Sequence, residues 1–484
     1  MMNETTLTRL LGDAPATLVA GEDVAVSGIA YRSDAVRPGD VFFCVPGSVH
    51  DGHDFAADAV ARGAVAVVAL RPLPGLGVPT LLVDDPRVAL AIASARFFGD
   101  PSSRFRLVGI TGTNGKTTTA YIVESILRAA GHVTGLIGTV ETRVAGEREG
   151  SVRTTPESTD LQGLFARMAD RGVTAGVMEV SSHALDLHRV DQVRFAVAAF
   201  TNFSQDHLDY HGSIEEYYTV KRRLFTDIGA ESAVVNVDDD RGALLARGIS
   251  AAWTVGRSDA ARVRARDERP EPASTVFTLL TPRGTRTIRL PLAGAYNVSN
   301  ALVAAGCALA LGIGIDEVVD GIEGVEQVPG RLERVDAGQP FTVLVDYAHT
   351  PDALDKALNA VRAVTSGRVL VVFGCGGDRD PEKRPMMGEA AGSADVAFLT
   401  SDNPRSEDPH GIILQVEEGL RRHGGKYFVQ VDRRAAIADA LRLAEPGDTV
   451  LIAGKGHEDY QIFSDRTIHF DDREVAREEL KRLC

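Results

Sequence analysis

The chain has few cysteines, no excess of basic residues and no long apolar run. Its four cysteines (Cys44, Cys307, Cys375, Cys484) are scattered without a CxxC pair, which fits a reducing cytoplasm. The formal net charge of −15 argues against a nucleic-acid-binding protein, because such proteins carry basic surfaces. The first residues lack the basic and apolar regions of a signal peptide. The uncharged stretch from Ala301 to Ile315 is too short to span a bilayer. We therefore expect a cytoplasmic protein without membrane insertion.

The length and the alternation of apolar segments indicate a multidomain α/β protein. A chain of 484 residues is too long for one core, and its composition is that of a globular protein. A small α/β unit occupies residues 1–103, and residues 104–329 alternate strands and helices in a way that predicts a mostly parallel sheet. The pattern restarts after Pro329-Gly330, so residues 330–484 form a third domain. In the first domain, composition alone does not distinguish a loop from a site at 32–34 and 52–55.

The most informative stretch of the chain is a strand, a glycine turn and a helix between Arg106 and Gly131. Such a turn binds phosphate, because backbone N–H groups and the helix dipole favour an anion. Lys116 would reach the β- and γ-phosphates and Thr117 would hold Mg²⁺. The first glycine of a regular P-loop is replaced by Ile110, and the glycine comes later at Gly112, so the loop is shortened. The alternative is an ordinary turn that happens to contain GKT; we interpret the stretch as an ATP site.

Polar residues at the ends of the central strands are further candidates, because ligands of open α/β sheets bind there. Glu179 ends one apolar strand and is followed by Ser181. A carboxylate in that place is costly unless it is paired or bound to a metal. His207 follows the next strand and is expected in the same crevice. Lys221 lies in a predicted helix over 215–225, where the pattern by itself indicates a solvated surface residue.

Three polar or glycine-rich loops follow the strands predicted in the third domain. The strands are expected at 369–373, 396–400 and 450–453, and the loops read GCGGDRD, SDNPRSEDP and GKGHED. Three such loops at the strand ends of one α/β domain predict a ligand site.

These stretches together resemble the Mur ligases, the ATP-dependent amide-bond-forming enzymes of peptidoglycan synthesis. The matching segments are GTNGKTTT (112–119), EVSSHAL (179–185), TNFSQDHLDYHG (201–212), YNVSN (296–300), PGRLERV (329–335), DYAHTP (346–351), GCGGDRDPEKRP (374–385), DNPRSEDP (402–409) and GKGHEDYQ (454–461). They occur in order across all three predicted domains.

The resemblance implies three domains, namely a UDP-sugar-binding N-terminal domain, a central P-loop ATPase-like domain with a parallel or mixed sheet, and a Rossmann-like C-terminal domain for an amino acid. It implies ATP and Mg²⁺ as cofactors, and UDP-muramoyl dipeptide and meso-diaminopimelate as substrates. It also implies a monomer that acts in cell-wall biogenesis, cell shape and cell division.

The resemblance also assigns site residues, motif by motif. The implied UDP-substrate residues are Ser33, Thr154, Thr155, Ser181 and Arg189. The implied nucleotide residues are Gly112, Thr113, Asn114, Gly115, Lys116, Thr117, Thr118, Asn297, Asn300, Asp346 and His349. The implied metal ligands are Thr117, Glu179, His207 and a carbamylated Lys221. The implied amino-acid pocket is Arg379, Asp402, Asn403, Arg405, Gly454 and Glu458. The implied catalytic residues are Lys116, Glu179, His207 and Lys221. At Leu187 some relatives carry a substrate-contacting glutamine, so one contact is missing here.

Three alternatives remain at this point. The first is the same reaction with L-lysine, although the DNPR stretch resembles the form that uses meso-diaminopimelate. The second is a folylpolyglutamate-synthase-like ligase, against which the full first domain and DNPR speak. The third is a regulatory protein that binds a nucleotide without ligating, which the combined presence of Glu179, His207, Lys221 and DNPR disfavours.

Overall fold

The computed structural model describes residues 5–12, 16–47, 50–271 and 274–483. The expectations above also used the first four residues and Cys484, which lie outside the described residues. Cys44, Cys307 and Cys375 are buried free thiols. In the described part of the chain, no helix is both long enough and apolar enough to cross a bilayer.

The described residues of the N-terminal hundred form short strands and three helices. Their bounds are β1 (Thr5–Thr6), α1 (Leu7–Leu11), β2 (Ala16–Ala20), β3 (Ala25–Val26), β4 (Gly28–Ala30), β5 (Asp40–Phe43), α2 (Ala56–Ala61), β6 (Ala66–Ala69), β7 (Thr80–Val83) and α3 (Pro86–Phe97). Short 3₁₀ turns lie at Ser33–Ala35, Gly52–Phe55 and Pro101–Arg104.

The central region contains the phosphate-binding loop between its first strand and helix. Its elements are β8 (Arg106–Thr111), α4 (Lys116–Ala129), β9 (Thr134–Ile137), β10 (Glu141–Val144), β11 (Glu147–Gly150), α5 (Ser158–Asp170), β12 (Ala175–Glu179), α6 (Ser182–Asp186), β13 (Phe195–Phe200), α7 (Leu208–His211), α8 (Ile214–Arg223), β14 (Ala230–Asn236), α9 (Asp240–Arg247), β15 (Trp253–Gly256), β16 (Val263–Glu271), β17 (Ser274–Thr281), β18 (Gly284–Leu290), α10 (Ala295–Ala310) and α11 (Ile315–Glu323). A π-helical turn at Leu224–Ile228 follows α8.

The C-terminal region alternates strands and helices again. Its elements are β19 (Glu333–Arg334), β20 (Thr342–Asp346), α12 (Pro351–Arg362), β21 (Val369–Phe373), α13 (Lys383–Ala391), β22 (Val396–Leu399), α14 (Pro409–His423), β23 (Tyr427–Val429), α15 (Arg433–Leu443), β24 (Thr449–Ala453), β25 (Tyr460–Ile462), β26 (Thr467–His469) and α16 (Asp472–Leu483).

The structure divides into two compact units. The first contains the described residues of 1–111, 131–198 and 220–232, and the second those of 112–130, 199–219 and 233–484. In the first unit, a five-stranded sheet has the order β2-β7-β6-β5-β4, and apolar clusters cover both of its faces. A second set of strands pairs β9, β12 and β8 in parallel, with β10 and β11 added as an antiparallel hairpin.

The described strands of the second unit form a central group, a C-terminal sheet and the antiparallel pair β25–β26. Strands β14, β15 and β16 are parallel, whereas β16, β17 and β18 form an antiparallel meander. The C-terminal sheet has the order β19-β20-β24-β21-β22-β23 and is parallel except at β19. Apolar clusters lie on both faces of this sheet, which is typical of parallel sheets with helices on each side.

Most strands predicted from apolar runs are confirmed, with ends that differ by at most three residues from the predicted ones. The expectation of a mostly parallel or mixed sheet for the central region is confirmed, with antiparallel strands at its edges, in β9–β11 and β16–β18. Strand β16 reads VRARDERPE and is rich in charge, so no apolar run marks it. The helix expected over 215–225 ends earlier, because α8 passes into the π-helical turn.

Candidate active site

The glycine turn between β8 and α4 lies against the loop that follows β13. Gly112 has φ +145°, and a side chain there would collide with Thr201 and Asn202, so glycine is required. The backbone N–H groups of Thr113 and Asn114 donate to the backbone and side-chain oxygens of Asn202, both at 2.9 Å. We expected these N–H groups to point into the turn; here the neighbouring loop satisfies them instead, because buried donors need acceptors. Helix α4 ends at Ala129, and Gly131 adopts φ +81° just beyond it, as predicted.

Lys116 opens α4 and its ammonium lies within the turn. Its Nζ donates to the carbonyl oxygens of Gly112 and Thr113, at 2.9 and 2.8 Å. These are neutral acceptors from its own loop, and an anion bound at the turn would be a stronger partner for the charge.

A cavity of about 260 Å³ opens beside this turn. The predicted nucleotide residues that line it are Asn114, Gly115, Thr117, Thr118, Asn300, Asp346 and His349. Asn297 contacts a residue of the cavity wall: its side-chain oxygen accepts a hydrogen bond from Asn300 Nδ2 at 3.1 Å. The predicted residues Gly112, Thr113 and Lys116 form the turn itself.

Two ionisable residues after β20 complete the wall of this cavity. The Asp346 carboxylate accepts hydrogen bonds from the backbone N–H groups of Leu332 and Ala348, and burial raises its pKa. Burial likewise lowers the pKa of His349, so the ring is neutral at pH 7. His349 Nδ1 lies 2.7 Å from the carbonyl oxygen of Tyr347, which can only accept. The proton is therefore on Nδ1, and Nε2 is an acceptor.

Arg331 lines the same cavity and was not predicted as a site residue. Its Nη2 donates to Thr117 Oγ1 at 3.2 Å, and its guanidinium carbon lies 4.7 Å from the centre of the Tyr347 ring. The arginine directly follows Pro329-Gly330, which the sequence marked only as a linker. A cation next to the hydroxyl proposed for Mg²⁺ adds positive charge where phosphates are expected.

A second cavity of about 370 Å³ is formed by the loops after β21, β22 and β24 and by His207. All six residues of the predicted amino-acid pocket line it: Arg379, Asp402, Asn403, Arg405, Gly454 and Glu458. Tyr347 and His349 line both cavities, so the two are adjacent. His207 has φ +53° at the start of α7, and its side chain is 43% exposed.

Charged groups of both signs line this second cavity. Asp402 is buried, and burial together with the Asp402 charge raises the pKa of Glu458. Arg405 is half-buried, has φ +53°, and donates from Nη1 to the carbonyl oxygen of Gly377 at 2.7 Å. Arg379 is exposed, and its Nη1 donates to the Asp378 carbonyl at 3.1 Å. The cavity therefore presents carboxylates and guanidinium groups, as a zwitterionic amino acid requires.

In the first unit, the structure brings the predicted residues Thr154, Thr155, Ser181 and Arg189 close to Glu179. Thr155 Oγ1 donates to the Glu179 backbone oxygen at 2.8 Å, and Arg189 Nη1 donates to the Thr155 backbone oxygen at 3.1 Å. Ser181 caps α6, and its backbone N–H donates to Thr155 Oγ1 at 3.2 Å. These contacts gather the chain segments at the ends of β12 and before α5 into one polar cluster.

The Glu179 carboxylate is 1% exposed and is held by a threonine that the sequence did not single out. Thr139 donates to it from its backbone nitrogen at 2.7 Å and from its hydroxyl at 3.0 Å. Thr154 Oγ1 lies 3.0 Å from the same Thr139 hydroxyl. Leu187, where a glutamine was expected, is the residue at the end of α6.

Ser33 and Lys221 are two further predicted residues of the first unit. Ser33 begins a 3₁₀ turn and hydrogen-bonds to the Asp58 carboxylate. Its neighbours Tyr31 and Arg32 line a third cavity, of about 520 Å³, together with Arg153. Lys221 is 1% exposed, so the surface interpretation of its helix pattern is wrong for this residue.

The chain matches three family models in order. They describe the "Mur ligase family, catalytic domain" over residues 25–98, the "Mur ligase middle domain" over 110–308 and the "Mur ligase, glutamate ligase domain" over 330–456. A UDP-N-acetylmuramoyl-L-alanyl-D-glutamate–2,6-diaminopimelate ligase of Geobacillus thermodenitrificans is 48% identical over 470 residues, covering 95% of this chain and 96% of the relative. The ligase of the same name from Streptomyces coelicolor is 48% identical, with 94% and 93% covered.

Solved structures agree with the sequence matches. A structure of a ligase of that same name aligns with a TM-score of 0.69 at 30% identity, covering 99% of each chain. A folylpolyglutamate synthase of Mycobacterium tuberculosis aligns over 76% of this chain and 93% of its own, with a TM-score of 0.62 at 20% identity, and therefore shares the fold alone. The chain belongs to the Mur ligase family.

Proposed function

We propose that this Mur ligase joins meso-diaminopimelate to the γ-carboxylate of D-glutamate in UDP-N-acetylmuramoyl-L-alanyl-D-glutamate, with ATP as the energy source. The observation that carries the proposal is the second cavity, because all six predicted amino-acid residues line it and it adjoins the cavity of the phosphate-binding turn. The names of the relatives support the same substrates.

The proposed reaction has two steps. A carboxylate oxygen of the acceptor attacks the γ-phosphorus of ATP, the bond to ADP breaks, and an acyl phosphate forms. The neutral amine nitrogen of diaminopimelate then attacks the acyl carbon, phosphate leaves with the C–O electron pair, and the nitrogen gives up a proton. The first step brings several negative charges together, so cations must offset their repulsion. Lys116 and Arg331, which lie at the first cavity, supply two such charges.

Mg²⁺ fits the donor chemistry of four residues that the resemblance assigns to it. Thr117 offers a hydroxyl oxygen, Glu179 a buried carboxylate, and His207 a half-exposed imidazole. In the part of the chain that the structure describes, no three His, Cys, Asp or Glu side chains cluster closely enough to hold a metal. The resemblance adds a carbamate on Lys221, whose oxygens suit Mg²⁺ because hard cations prefer oxygen. When bound, the ion would offset the charge of the transferred phosphate.

Lys221→Ala is expected to reduce turnover by roughly 100-fold, in the range reported for removing one preorganised electrostatic contact. A short carboxylic acid such as acetate should restore part of the activity, because it can stand in the cavity left by the carbamate. The matched control is Lys116→Ala, which loses a cation and should gain nothing from acetate. Equal behaviour of the two variants towards acetate would contradict carbamylation.

We also propose three functional domains, namely residues 1–103 for the UDP-sugar, 104–329 for ATP and 330–484 for the amino acid. The protein acts as a monomer in the cytoplasm. Ser33, Thr154, Thr155, Ser181 and Arg189 are the proposed contacts to the UDP-substrate.

Phosphate release tests whether the protein ligates or only binds nucleotide. Release that depends on both the UDP-muramoyl dipeptide and diaminopimelate is the expected result. Release with ATP alone, at the same rate, would instead indicate a nucleotide-hydrolysing regulatory protein.

A further inference from the structure

Lys455 is a fully buried lysine in the loop after β24, and neither the sequence motifs nor the cavity lining assigned it a role. The glycines on both sides have positive φ, +116° at Gly454 and +56° at Gly456. A Cβ atom on Gly454 would lie 2.7 Å from Asp402 Oδ2, and one on Gly456 would lie 2.6 Å from Tyr347 Cβ. The backbone is thus pressed against the cavity wall on both sides of Lys455, and its side chain is enclosed.

The Lys455 ammonium contacts three residues that do line the second cavity. Its Nζ lies 3.1 Å from Asn403 Oδ1, 3.5 Å from Asp402 Oδ1 and 3.6 Å from Glu458 Oε2. It also lies 5.6 Å from the centre of the Tyr460 ring, which lines the same cavity. Lys455 therefore acts on a ligand through its neighbours.

The contact with Asn403 fixes the orientation of that amide. Asn403 Oδ1 accepts from Lys455 Nζ and from the backbone N–H of Ile462 at 3.0 Å, so the oxygen faces two donors. The amide nitrogen then points the other way and donates to Glu458 Oε2 at 2.9 Å. A flipped amide would place an NH₂ group against the ammonium, which is repulsive.

Two carboxylates and one ammonium meet in this cluster, namely Asp402, Glu458 and Lys455. The buried cation Arg433 is already paired with Asp472 through two hydrogen bonds of 2.8 and 2.7 Å. The Arg405 guanidinium lines the same cavity and acts on the charge of Glu458. The two carboxylates are therefore shared between Lys455, Arg405 and any ammonium group of a bound amino acid.

We propose that Lys455 is a positioning residue for the amine donor: it fixes the amide of Asn403 and holds the carboxylates of Asp402 and Glu458 at the cavity wall, where an ammonium group of the donor can bind. The inference rests on the proposed function, because it explains how the pocket assigned to diaminopimelate is prepared. Replacing Lys455 should therefore affect the use of diaminopimelate and leave the use of ATP and UDP-muramoyl dipeptide unchanged.

Lys455→Met, which keeps the length and removes the charge, tests this with full steady-state kinetics for all three substrates. A charge-assisted hydrogen bond contributes about 1.5–3 kcal/mol, which corresponds to roughly a 10- to 150-fold loss of kcat/KM for diaminopimelate. The loss should appear mainly in the KM for diaminopimelate, while the KM values for ATP and UDP-muramoyl dipeptide stay within about twofold. Lys455→Arg should recover part of the loss, and Lys426→Met, which changes an exposed lysine, should show none.

The outcomes separate this inference from the proposed function. Wild-type protein that does not ligate diaminopimelate refutes the proposed function, and the inference with it. Active wild-type protein, combined with equal losses for all three substrates or no loss in Lys455→Met, overturns the positioning role alone. If Lys455→Met does not fold, Lys455→Gln replaces it in the test, because glutamine keeps a hydrogen-bond donor towards Asn403. Lys455→Gln should show a smaller loss of kcat/KM that is again confined to diaminopimelate. A Lys455→Gln protein that also fails to fold would assign Lys455 to stability and overturn the proposal.

Discussion

Replacing Lys116 by alanine is expected to lower turnover by on the order of 10³-fold or more, the range that a cation on a transferred phosphate supplies. The ammonium is held inside the phosphate-binding turn by two loop carbonyls, so it is already in place when the triphosphate binds. The fold should survive, because Lys116 is half-exposed and lies at a turn outside the apolar core.

Two measurements separate a role in chemistry from a role in folding. Turnover is followed by phosphate release, and the thermal unfolding midpoint is measured on the same preparation. Lys481→Ala, which removes an exposed lysine of α16, is the matched control and should leave both unchanged. Near-wild-type turnover in Lys116→Ala would refute the assignment of this turn to ATP.

Replacing Arg405 by alanine is expected to remove the preference for diaminopimelate over L-lysine. The two amino acids differ by a carboxylate at the far end of the side chain, and a guanidinium can bind that group through two parallel hydrogen bonds. Truncating one partner of a buried charge pair costs about 2–5 kcal/mol. At about 1.4 kcal/mol per factor of ten, kcat/KM for meso-diaminopimelate should fall roughly 30- to 4000-fold.

The comparison with L-lysine is the decisive part of that experiment. Because lysine offers Arg405 no carboxylate, its already poor use should change little. The structure also gives Arg405 a bond to the Gly377 carbonyl, so an alternative role is to hold the loop after β21. An equal fractional loss for the two amino acids would favour that structural role. Arg466→Ala, at an exposed arginine after β25, is the control and should alter neither rate.

The sequence predicted those parts of the site that follow strand ends. Gly112, Gly115, Glu179 and the three C-terminal loops are recognisable in the sequence because apolar runs mark where parallel strands end. The three loops line the second cavity. The six amino-acid residues came from the family resemblance, and the structure places them around one cavity. Whether each contacts a substrate stays a prediction.

The burial of two cations depends on tertiary contacts and could not be predicted from the residue pattern. Lys455 lies between two glycines, where a lysine normally faces solvent, and only the approach of the loop to Asp402 and Tyr347 encloses it. Lys221 lies on a charged helix, and its pattern alone indicated exposure. The meander β16–β18 was missed for a related reason, since its first strand alternates apolar and charged residues over few positions.

Ligation itself tests the central claim most directly. Purified protein is incubated with ATP, Mg²⁺ and UDP-N-acetylmuramoyl-L-alanyl-D-glutamate, with either meso-diaminopimelate or L-lysine, and the products are identified by mass. We expect a tripeptide product with meso-diaminopimelate, formed in a one-to-one ratio with ADP and phosphate, and far less product with L-lysine. Equal product from both amino acids would contradict the substrate assignment, and ADP without any peptide product would contradict the ligase.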